Sequence, residues 1–263
     1  MMPLKKICEF LDGYAPTRLA EDWDNVGLLV GDVDANVSKV MTCLTITPET
    51  AQEAIDNGGD LIVTHHPLPF RSIKKVTTEQ TSTRMLWELI RAGVAIYSPH
   101  TGFDSAAGGI NQMVCQKMGL NEIEPLEKIP DEDPTIGSGR FGKLPGKLSL
   151  NGFLASVKEE FGLEQLQFVG DLTQEISSVA SACGSGGSFL DKVIAAQCDA
   201  FITGEANFHS CLEAKARGVA LVLVGHYASE RFAIEELATI LKSNFADLDV
   251  WAASQESDPV NWA

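Results

Sequence analysis

Histidines and carboxylates that follow apolar segments are the residues of this sequence best suited to chemistry. Four of the five histidines stand at or just past the end of such a segment: His65, His66, His100 and His226. Two of them are followed, four residues later, by a carboxylate, which is Asp104 or Glu230. If a helix begins at Gly225, the spacing of His226 and Glu230 places their side chains on one face, a turn apart. Asp104, in contrast, is expected in the loop after His100. Imidazole and carboxylate ligands together suit Zn, Fe, Mn or Ni better than Ca or Mg.

These residues offer more donors than one tetrahedral ion requires. The candidate metal ligands come from three chain segments and are five in number: His65, His66, Asp104, His226 and Glu230. Two metal ions about 3.5–4 Å apart, bridged by a carboxylate, would use them all. Each residue alone has an ordinary explanation, because a single histidine at a strand end usually forms only hydrogen bonds, and a first-turn glutamate is usually solvated. The prediction of a metal site therefore depends on the five occurring together.

The adjacent pair of histidines raises a geometric difficulty. Neighbouring residues on a strand point to opposite faces of the sheet, so one metal ion could not easily bind both. Pro67 follows the pair, and a proline restrains the preceding residue to an extended or turn conformation. We therefore predict that His65 completes the strand and that His66 bends away from it.

Alternating strands and helices are expected to position these histidines. The apolar stretches "SKVMTCLTI" (38–46), "DLIVTHH" and "GVAIYSPH" are predicted strands. A helix between the first two begins at the N-cap Thr47 and ends at Gly58, and another covers about residues 79–92. This order predicts a parallel sheet, and ligands of open α/β sheets bind beyond the carboxyl ends of the strands. The second half alternates in the same way, without a clear sequence repeat.

Residues 121–152 divide the chain into two halves. This segment is rich in Pro, Gly and charge and lacks helical periodicity, so a crossover is predicted there. We expect an α/β protein with two α/β lobes, in three layers with mixed or mostly parallel sheets. The first lobe (1–125) holds the HHP and HTGFD motifs, and the second (126–263) holds GEANFH and GHYASE. The last helix and an edge strand in the C-terminal tail can pack back on the first lobe.

Composition restricts the classes of function. A net charge of −16 opposes binding to phosphate backbones, so nucleic acid is not an expected partner. No segment approaches the roughly 20 apolar residues of a membrane span, so no membrane partner is expected. The N-terminal apolar run is interrupted by Glu9 and Asp12 and does not read as a signal peptide. The six cysteines include no C-x-x-C pair, as in a reducing compartment. A cytoplasmic protein is predicted.

Two weaker features stay open between a functional and an ordinary role. The turn "CGSGGSF" (183–189) could hold a phosphate on its backbone N–H groups, although it lacks a P-loop lysine. A tight turn with Ser188 as helix N-cap explains it as well. Three aspartates around "DNVGLLVG" could line a cleft or serve in turns and caps: Asp22, Asp24 and Asp32. Glu205 and His209 have no assigned role.

Five motifs carry a resemblance to a known family. The segments "WDNVGLLVG", "VTHHP", "HTGFDSAAGGIN", "TGEANFH" and "GHYASE" follow one another as in the NIF-three-like family, whose bacterial members are also named type 2 homologs of GTP cyclohydrolase I. The resemblance implies a two-lobed α/β subunit with a dinuclear metal site in the cleft between the lobes. By this resemblance, His65 and Asp104 hold one ion. His66 and His226 hold the other, and Glu230 bridges both.

The same resemblance implies further properties. His100 resembles the histidine that relatives often keep beside the metals, and it is our catalytic candidate. The cofactors are expected to be two divalent transition-metal ions per subunit, of Zn, Fe or Mn. The assembly implied is a toroidal homohexamer. One departure is "EANFHS", where many relatives are more basic, so an anion-binding role for Glu205 to His209 is not carried over.

The preferred hypothesis is a metal-dependent hydrolase that acts on a nucleotide or similar small molecule through a metal-bound hydroxide. GTP cyclohydrolase-like ring opening and phosphoester hydrolysis would both use this chemistry, with His100 relaying a proton. The alternative is a non-enzymatic metal carrier or a regulatory partner-binding protein. A third hypothesis is a structural α/β protein whose histidines only end strands.

Overall fold

The computed structural model describes residues 1–261, which divide into two compact units. Unit 1 comprises Met1–Phe103 and Arg231–Ser257, and unit 2 comprises Asp104–Glu230 and the residues from Asp258 onward. The predicted lobe boundary at residue 125 stays a prediction. Residues 262–263 of the predicted second lobe lie outside the described residues.

The strands are β1 (Met2–Pro3), β2 (Gly27–Val30), β3 (Asn36–Val37), β4 (Lys39–Cys43), β5 (Leu61–Thr64), β6 (Ala95–Ser98), β7 (Asn121–Glu124), β8 (Glu127–Lys128), β9 (Gly137–Ser138), β10 (Arg140–Ser149), β11 (Gln167–Val169), β12 (Glu175–Ala182), β13 (Ala200–Thr203), β14 (Ala220–Leu223) and β15 (Asp249–Ala252). The α-helices are α1 (Leu4–Tyr14), α2 (Pro48–Asp56), α3 (Thr81–Ala92), α4 (His100–Ser105), α5 (Ile110–Lys117), α6 (Leu150–Phe161), α7 (Leu190–Ala195), α8 (Phe208–Arg217) and α9 (His226–Asn244). Short 3-10 helices cover Thr17–Leu19 and Gly186–Phe189.

Unit 1 contains a five-stranded sheet in the order β15-β4-β5-β6-β2. The first four strands run parallel, and β2 pairs antiparallel with β6 at one edge. The side chains of β4, β5 and β6 are almost all buried, as in a sheet covered on both faces, which is why these three strands read as apolar runs in the sequence. The predicted parallel order of β4, β5 and β6 is confirmed, and so is the predicted edge strand in the C-terminal tail, which is β15.

Helix α2 begins where the sequence predicts. The Thr47 hydroxyl accepts a hydrogen bond from the Thr50 N–H, and the Thr50 hydroxyl accepts one from the Thr47 N–H. This reciprocal cap satisfies two N–H groups that have no partner within the helix. The helix and α3 bury apolar side chains against the sheet around Met41, Ile62 and Ile96.

Unit 2 contains a six-stranded sheet in the order β11-β14-β13-β12-β10-β7. Strands β12, β13 and β14 are parallel, whereas β11, β10 and β7 pair antiparallel with their neighbours. Phe153, Val157 and Val179 lie in its core and are fully buried. The predicted α/β fold with mixed sheets is confirmed in both units.

The predicted crossover over residues 121–152 is wrong, because this segment contributes strands to the sheet of unit 2. Strand β10 pairs with β12 on one side and β7 on the other. Its pairing register with β12 shifts between Lys143 and Leu148, where Pro145 and Gly146 lie. The Pro and Gly residues that suggested a loop therefore mark an irregularity within a long strand.

A buried arginine explains how the charged segment is held. Arg140, on β10, is 0% exposed, and its guanidinium donates hydrogen bonds to the carbonyl oxygens of Gly137, Gly139, Ala106 and Thr135. Burial lowers the pKa of Arg140 to about 10. The guanidinium is satisfied by backbone dipoles, the arrangement that a buried cation requires in the absence of a carboxylate partner.

The described residues contain no helix that is both long and apolar enough to span a membrane.

Candidate metal centre

The backbone brings His65 and His66 together at the end of β5. The His65 N–H donates to the Cys43 carbonyl at 3.0 Å, and the next N–H, of His66, donates to the Leu44 carbonyl at 2.8 Å. Successive N–H groups of a pleated strand point in opposite directions, so both cannot reach the same neighbouring segment. The chain therefore leaves the regular alternation at this pair, but β5 ends at Thr64, one residue before the predicted end at His65. The two ring centroids lie 5.2 Å apart.

Hydroxyl groups hold the histidine pair in place. The Ser98 hydroxyl donates to the His65 carbonyl at 2.6 Å, and His65 itself is 1% exposed. The Thr45 hydroxyl lies 2.7 Å from Nδ1 of His66. A hydrogen bond at one ring nitrogen restricts the orientation of the ring and leaves the other nitrogen to a ligand.

His100 begins helix α4 and pairs with an aspartate from a distant part of the chain. Its Nδ1 lies 2.7 Å from Oδ1 of Asp24, whose side chain is 1% exposed. Oδ2 of Asp24 accepts hydrogen bonds from the hydroxyl and the N–H of Thr101, at 2.5 and 3.2 Å. Burial raises the pKa of Asp24, but hydrogen bonds from His100 and Thr101 lower it further, to about 2. An ionised carboxylate at Nδ1 favours the tautomer with the proton on Nδ1 and a lone pair on Nε2.

The three histidines of unit 1 form one cluster. His65, His66 and His100 each offer a ring nitrogen, and these atoms all lie within 4.8 Å of one another. The ring centroid of His100 is 5.1 Å from that of His65 and 5.7 Å from that of His66. Three convergent imidazoles, two of them buried, are a donor set that could hold a transition-metal ion.

Unit 2 supplies a second set of donors. Helix α9 begins at His226, whose Nε2 lies 3.1 Å from Oε2 of Glu230, one turn later. The predicted placement of these two side chains on one helix face is confirmed. Nδ1 of His226 lies 3.6 Å from Oε1 of Glu205. The hydrogen bond with Glu230 raises the pKa of His226 to about 9, against the effect of burial and with a further contribution from Glu205.

Asp104 has a cysteine partner that sequence reasoning missed. The Cys183 thiol donates to Oδ1 of Asp104 at 3.2 Å. Burial, followed by the negative charges of Asp104 and Glu230, raises the pKa of Cys183 well above its usual value. The thiol therefore stays protonated and acts as a hydrogen-bond donor to the carboxylate.

The glycine-rich turn after β12 provides space for carboxylates of unit 2. At Gly184, which has φ +58°, an added Cβ would collide with Oε1 of Glu230. The Ser185 hydroxyl donates to Oε2 of Glu205 at 3.0 Å. Ser188 does not serve as an N-cap, because a 3-10 turn leads into α7 and Phe189 occupies the cap position without a side-chain hydrogen bond. Packing against the Glu230 carboxylate, together with the positive φ, explains the glycine at position 184.

Within the units, the predicted site residues thus form three groups. Unit 1 brings together His65, His66 and His100. Unit 2 pairs His226 with Glu230, and it pairs Asp104 with Cys183. Neither Asp24 nor Cys183 could be assigned from spacing, because each is more than 70 residues from its partner. The assignment of particular residues to particular ions stays a prediction.

Comparison with known proteins identifies the family. The model of the family described as Duf34/NIF3 (NGG1p interacting factor 3) matches residues 2–259. The chain belongs to the Duf34/NIF3 family. Among curated Duf34/NIF3 relatives, the GTP cyclohydrolase 1 type 2 homolog of Clostridium perfringens is 32% identical, over 98% of both chains. The NIF3 homolog of Schizosaccharomyces pombe is 33% identical, over 98% of this chain and 96% of its own length. The predicted family is confirmed.

Solved structures agree with the Duf34/NIF3 fold. Staphylococcus aureus protein SA1388 is similar with a TM-score of 0.90 and 28% identity, over 100% of this chain and 99% of that one. Reduced HcgD from Methanocaldococcus jannaschii is similar with a TM-score of 0.83 and 28% identity, over 96% and 98% of the two chains.

Proposed function

We propose that this Duf34/NIF3 protein is a metal-dependent hydrolase that binds two divalent transition-metal ions per subunit and acts on a nucleotide or similar small molecule. The observation that carries the proposal is the cluster of His65, His66 and His100, whose ring nitrogens converge within 4.8 Å. Lone histidines at strand ends need no such convergence.

The donor chemistry fits Zn, Fe or Mn. Imidazole nitrogen is a donor of intermediate softness, which suits these ions. Carboxylate oxygens are also common ligands of these ions and can fill their remaining coordination positions. Unit 1 offers three imidazoles, and unit 2 offers Glu230, which is 3% exposed. A buried carboxylate is costly unless cations compensate it, and His226, 3.1 Å from Glu230, can provide part of that compensation. The choice of Glu230 as the bridging ligand follows the family resemblance.

The assignment of ligands follows the family resemblance. His65 and Asp104 would hold one ion. His66 and His226 would hold the other, with Glu230 bridging them. Bound metal ions would lower the pKa of a coordinated water and polarise the bond under attack.

Other residues orient the donors and manage protons. The Thr45 hydroxyl lies 2.7 Å from Nδ1 of His66, so Nε2 of His66 is the ring nitrogen left to bind a metal. The Cys183 thiol holds one oxygen of Asp104. Asp24 keeps the proton of His100 on Nδ1, so that Nε2 of His100 could accept a proton from the reacting water or substrate and release it afterwards.

The substrate, assembly and compartment belong to the same proposal. The names of curated relatives, GTP cyclohydrolase 1 type 2 homolog, support a small nucleotide as substrate. The family resemblance supports a homohexamer, and the composition supports the cytoplasm. The net charge of −16 argues against a nucleic-acid substrate.

Metal analysis together with a turnover assay tests this function. The purified chain is expected to contain about two equivalents of transition metal, and loaded protein is expected to hydrolyse GTP or another nucleotide in a panel. Removal of metal with a chelator should abolish turnover, and restoring the metal should recover it. If the His66→Ala/His226→Ala protein turned over substrate at the wild-type rate, the hydrolase proposal would be wrong.

A second candidate is a partner-binding or metal-carrier protein without turnover. The family description names an interacting factor, which supports a role in protein association. Full metal content with no turnover on any nucleotide, together with metal transfer to an apo-acceptor, would favour this candidate over the hydrolase.

A further inference from the structure

Two exposed aromatic side chains lie beside His100. Trp23 is 61% exposed and Phe70 is 47% exposed. Their ring centroids lie 6.0 and 5.9 Å from that of His100, and 6.1 Å from each other. Aromatic rings bury large apolar areas when they can, and exposed ones grouped at a single place are typical of a binding surface.

The segment that follows His66 encloses a cavity next to these rings. The cavity has a volume of about 300 Å³. It is lined by residues 67–73 and by part of helix α3, including Leu68, Phe70, Arg71, Ile73 and Leu86. Phe70 connects the two features, since it lines the cavity and also contacts the His100 ring. This volume matches the lower end of small-molecule sites.

The same segment carries a local positive charge in an acidic protein. Arg71, Lys74 and Lys75 fall within five consecutive residues, whereas the whole chain has 20 basic and 36 acidic residues. Among residues 1–261, no carboxylate forms an ion pair with any of the three. Basic side chains that are not neutralised by the protein attract an anionic ligand.

We propose that residues 67–76, together with Trp23, recognise a small-molecule substrate that carries both a planar ring and phosphate groups. The ring packs against Trp23 and Phe70, and the phosphates pair with Arg71, Lys74 and Lys75. Recognition at this place holds the substrate beside His100 and the histidine pair. The inference rests on the proposed hydrolase function and specifies the substrate class for the same site.

Calorimetric titration of the full-length, metal-loaded chain tests this assignment, with GTP, guanosine and inorganic triphosphate as probes. Lys74→Ala/Lys75→Ala is expected to weaken GTP and triphosphate binding by about tenfold or more and to leave guanosine binding unchanged. Trp23→Ala is expected to weaken GTP and guanosine about tenfold and to leave triphosphate unchanged. Trp23→Phe, which retains a ring, should recover most of the loss.

The chain offers a matched control for the lysine pair. Lys5 and Lys6 are also adjacent and exposed, in α1 of the same unit. Lys5→Ala/Lys6→Ala changes the net charge by the same amount and should leave GTP affinity within twofold of wild type. Equal losses in the two lysine variants, or no binding of GTP and triphosphate by wild type, would overturn the inference.

Failure of this inference is distinguishable from failure of the proposed function. The metal content of each variant is measured alongside binding, and the lysine and Trp23 variants should retain wild-type metal. Turnover of a nucleotide whose affinity is the same in wild type, in Lys74→Ala/Lys75→Ala and in Trp23→Ala would refute the recognition site and leave the hydrolase proposal standing. Binding as predicted without turnover would refute the hydrolase alone.

Discussion

The two units share one arrangement of strands and helices, although the sequence shows no clear repeat. Three parallel strands with a helix after each of the first two occur as β4-α2-β5-α3-β6 in unit 1 and as β12-α7-β13-α8-β14 in unit 2. The third strand is followed in both by a helix whose first residue is histidine, His100 or His226, with a carboxylate four residues later.

An aspartate has the same structural role in both units. Asp60, before β5, accepts hydrogen bonds from the N–H groups of Ser38 and Lys39. Asp199, before β13, accepts them from the N–H groups of Ser177 and Ser178. Each carboxylate therefore ties the start of its own strand to the neighbouring parallel strand or to the residue just before it. A shared device of this kind indicates that the units have the same local design.

The units differ in the side chains at the carboxyl ends of equivalent strands. His65 and His66 follow β5, whereas Gly204 and Glu205 follow β13. The first unit therefore contributes imidazoles and the second contributes carboxylates beside one imidazole, His226. The same arrangement of strands and helices therefore carries different potential metal ligands in the two units. This is expected where function depends on the side chains at strand ends and not on the fold itself.

The first prediction asks whether residues of both units contribute to the proposed metal site, and it has the largest expected effect. His65→Ala/His66→Ala should lower metal affinity by on the order of 100-fold or more, because it removes two imidazole donors. His226→Ala should lower it comparably. Competition titration with a chromogenic chelator measures both. Full metal retention by the His226→Ala protein would assign the site to unit 1 alone.

The second prediction concerns the crowded turn of unit 2. Gly184→Ala should destabilise the fold by about 3 kcal/mol and lower metal content, because the new Cβ would collide with Glu230 in a left-handed backbone conformation. Gly162→Ala is the control. It also has a positive φ, but its Cβ would meet nothing within 4 Å, so about 1 kcal/mol from backbone strain is expected. Equal losses in urea unfolding would contradict the packing role of Gly184.

The third prediction tests the shared aspartates. Burial raises the pKa of Asp60 and Asp199, but hydrogen bonds to the neighbouring strand lower both further, to below the usual 3.8. A depressed folded-state pKa stabilises the protein above the unfolded-state pKa, and that stability is lost as pH falls through the folded-state pKa. Asp60→Asn and Asp199→Asn should each cost about 1.5 kcal/mol at pH 7.

The pH dependence of these aspartate variants supplies the check. The gap between wild type and each variant in free energy of unfolding should narrow as the pH falls below about 4. Thermal unfolding at pH 7 and pH 3 measures this gap. A loss in only one of the two variants would show that the units do not share this device.

The smallest effect is expected from substituting Thr45, whose hydroxyl contacts His66. Both residues belong to unit 1. Thr45→Val keeps the shape of the side chain and removes the hydrogen bond to Nδ1. Metal affinity should fall by about tenfold, as is usual for partners of a metal-binding histidine. Thr173→Val, an exposed hydroxyl in unit 2 that bonds Asp171, should leave metal affinity unchanged. No difference between the two variants would remove Thr45 from the orienting role.

The sequence by itself determined the features that depend on neighbours along the chain. The helix cap at Thr47, the parallel strands β4, β5 and β6, and the common face of His226 and Glu230 all follow from local spacing and residue type. The same is true of the family, since its motifs are short segments in a recognisable order. Local backbone preferences and apolar periodicity act over a few residues, so they can be read without the fold.

Only the tertiary structure decided the contacts between distant segments. The Asp24–His100 pair joins residues 76 apart, and the Cys183–Asp104 pair joins residues 79 apart. Strand β10 was missed because its Pro, Gly and charged residues have low strand propensity. In the fold, pairing with β12 and β7 and the hydrogen bonds of the buried Arg140 stabilise the strand. Such contacts satisfy buried polar groups across the fold, and no periodicity in the sequence records which partner each group will find.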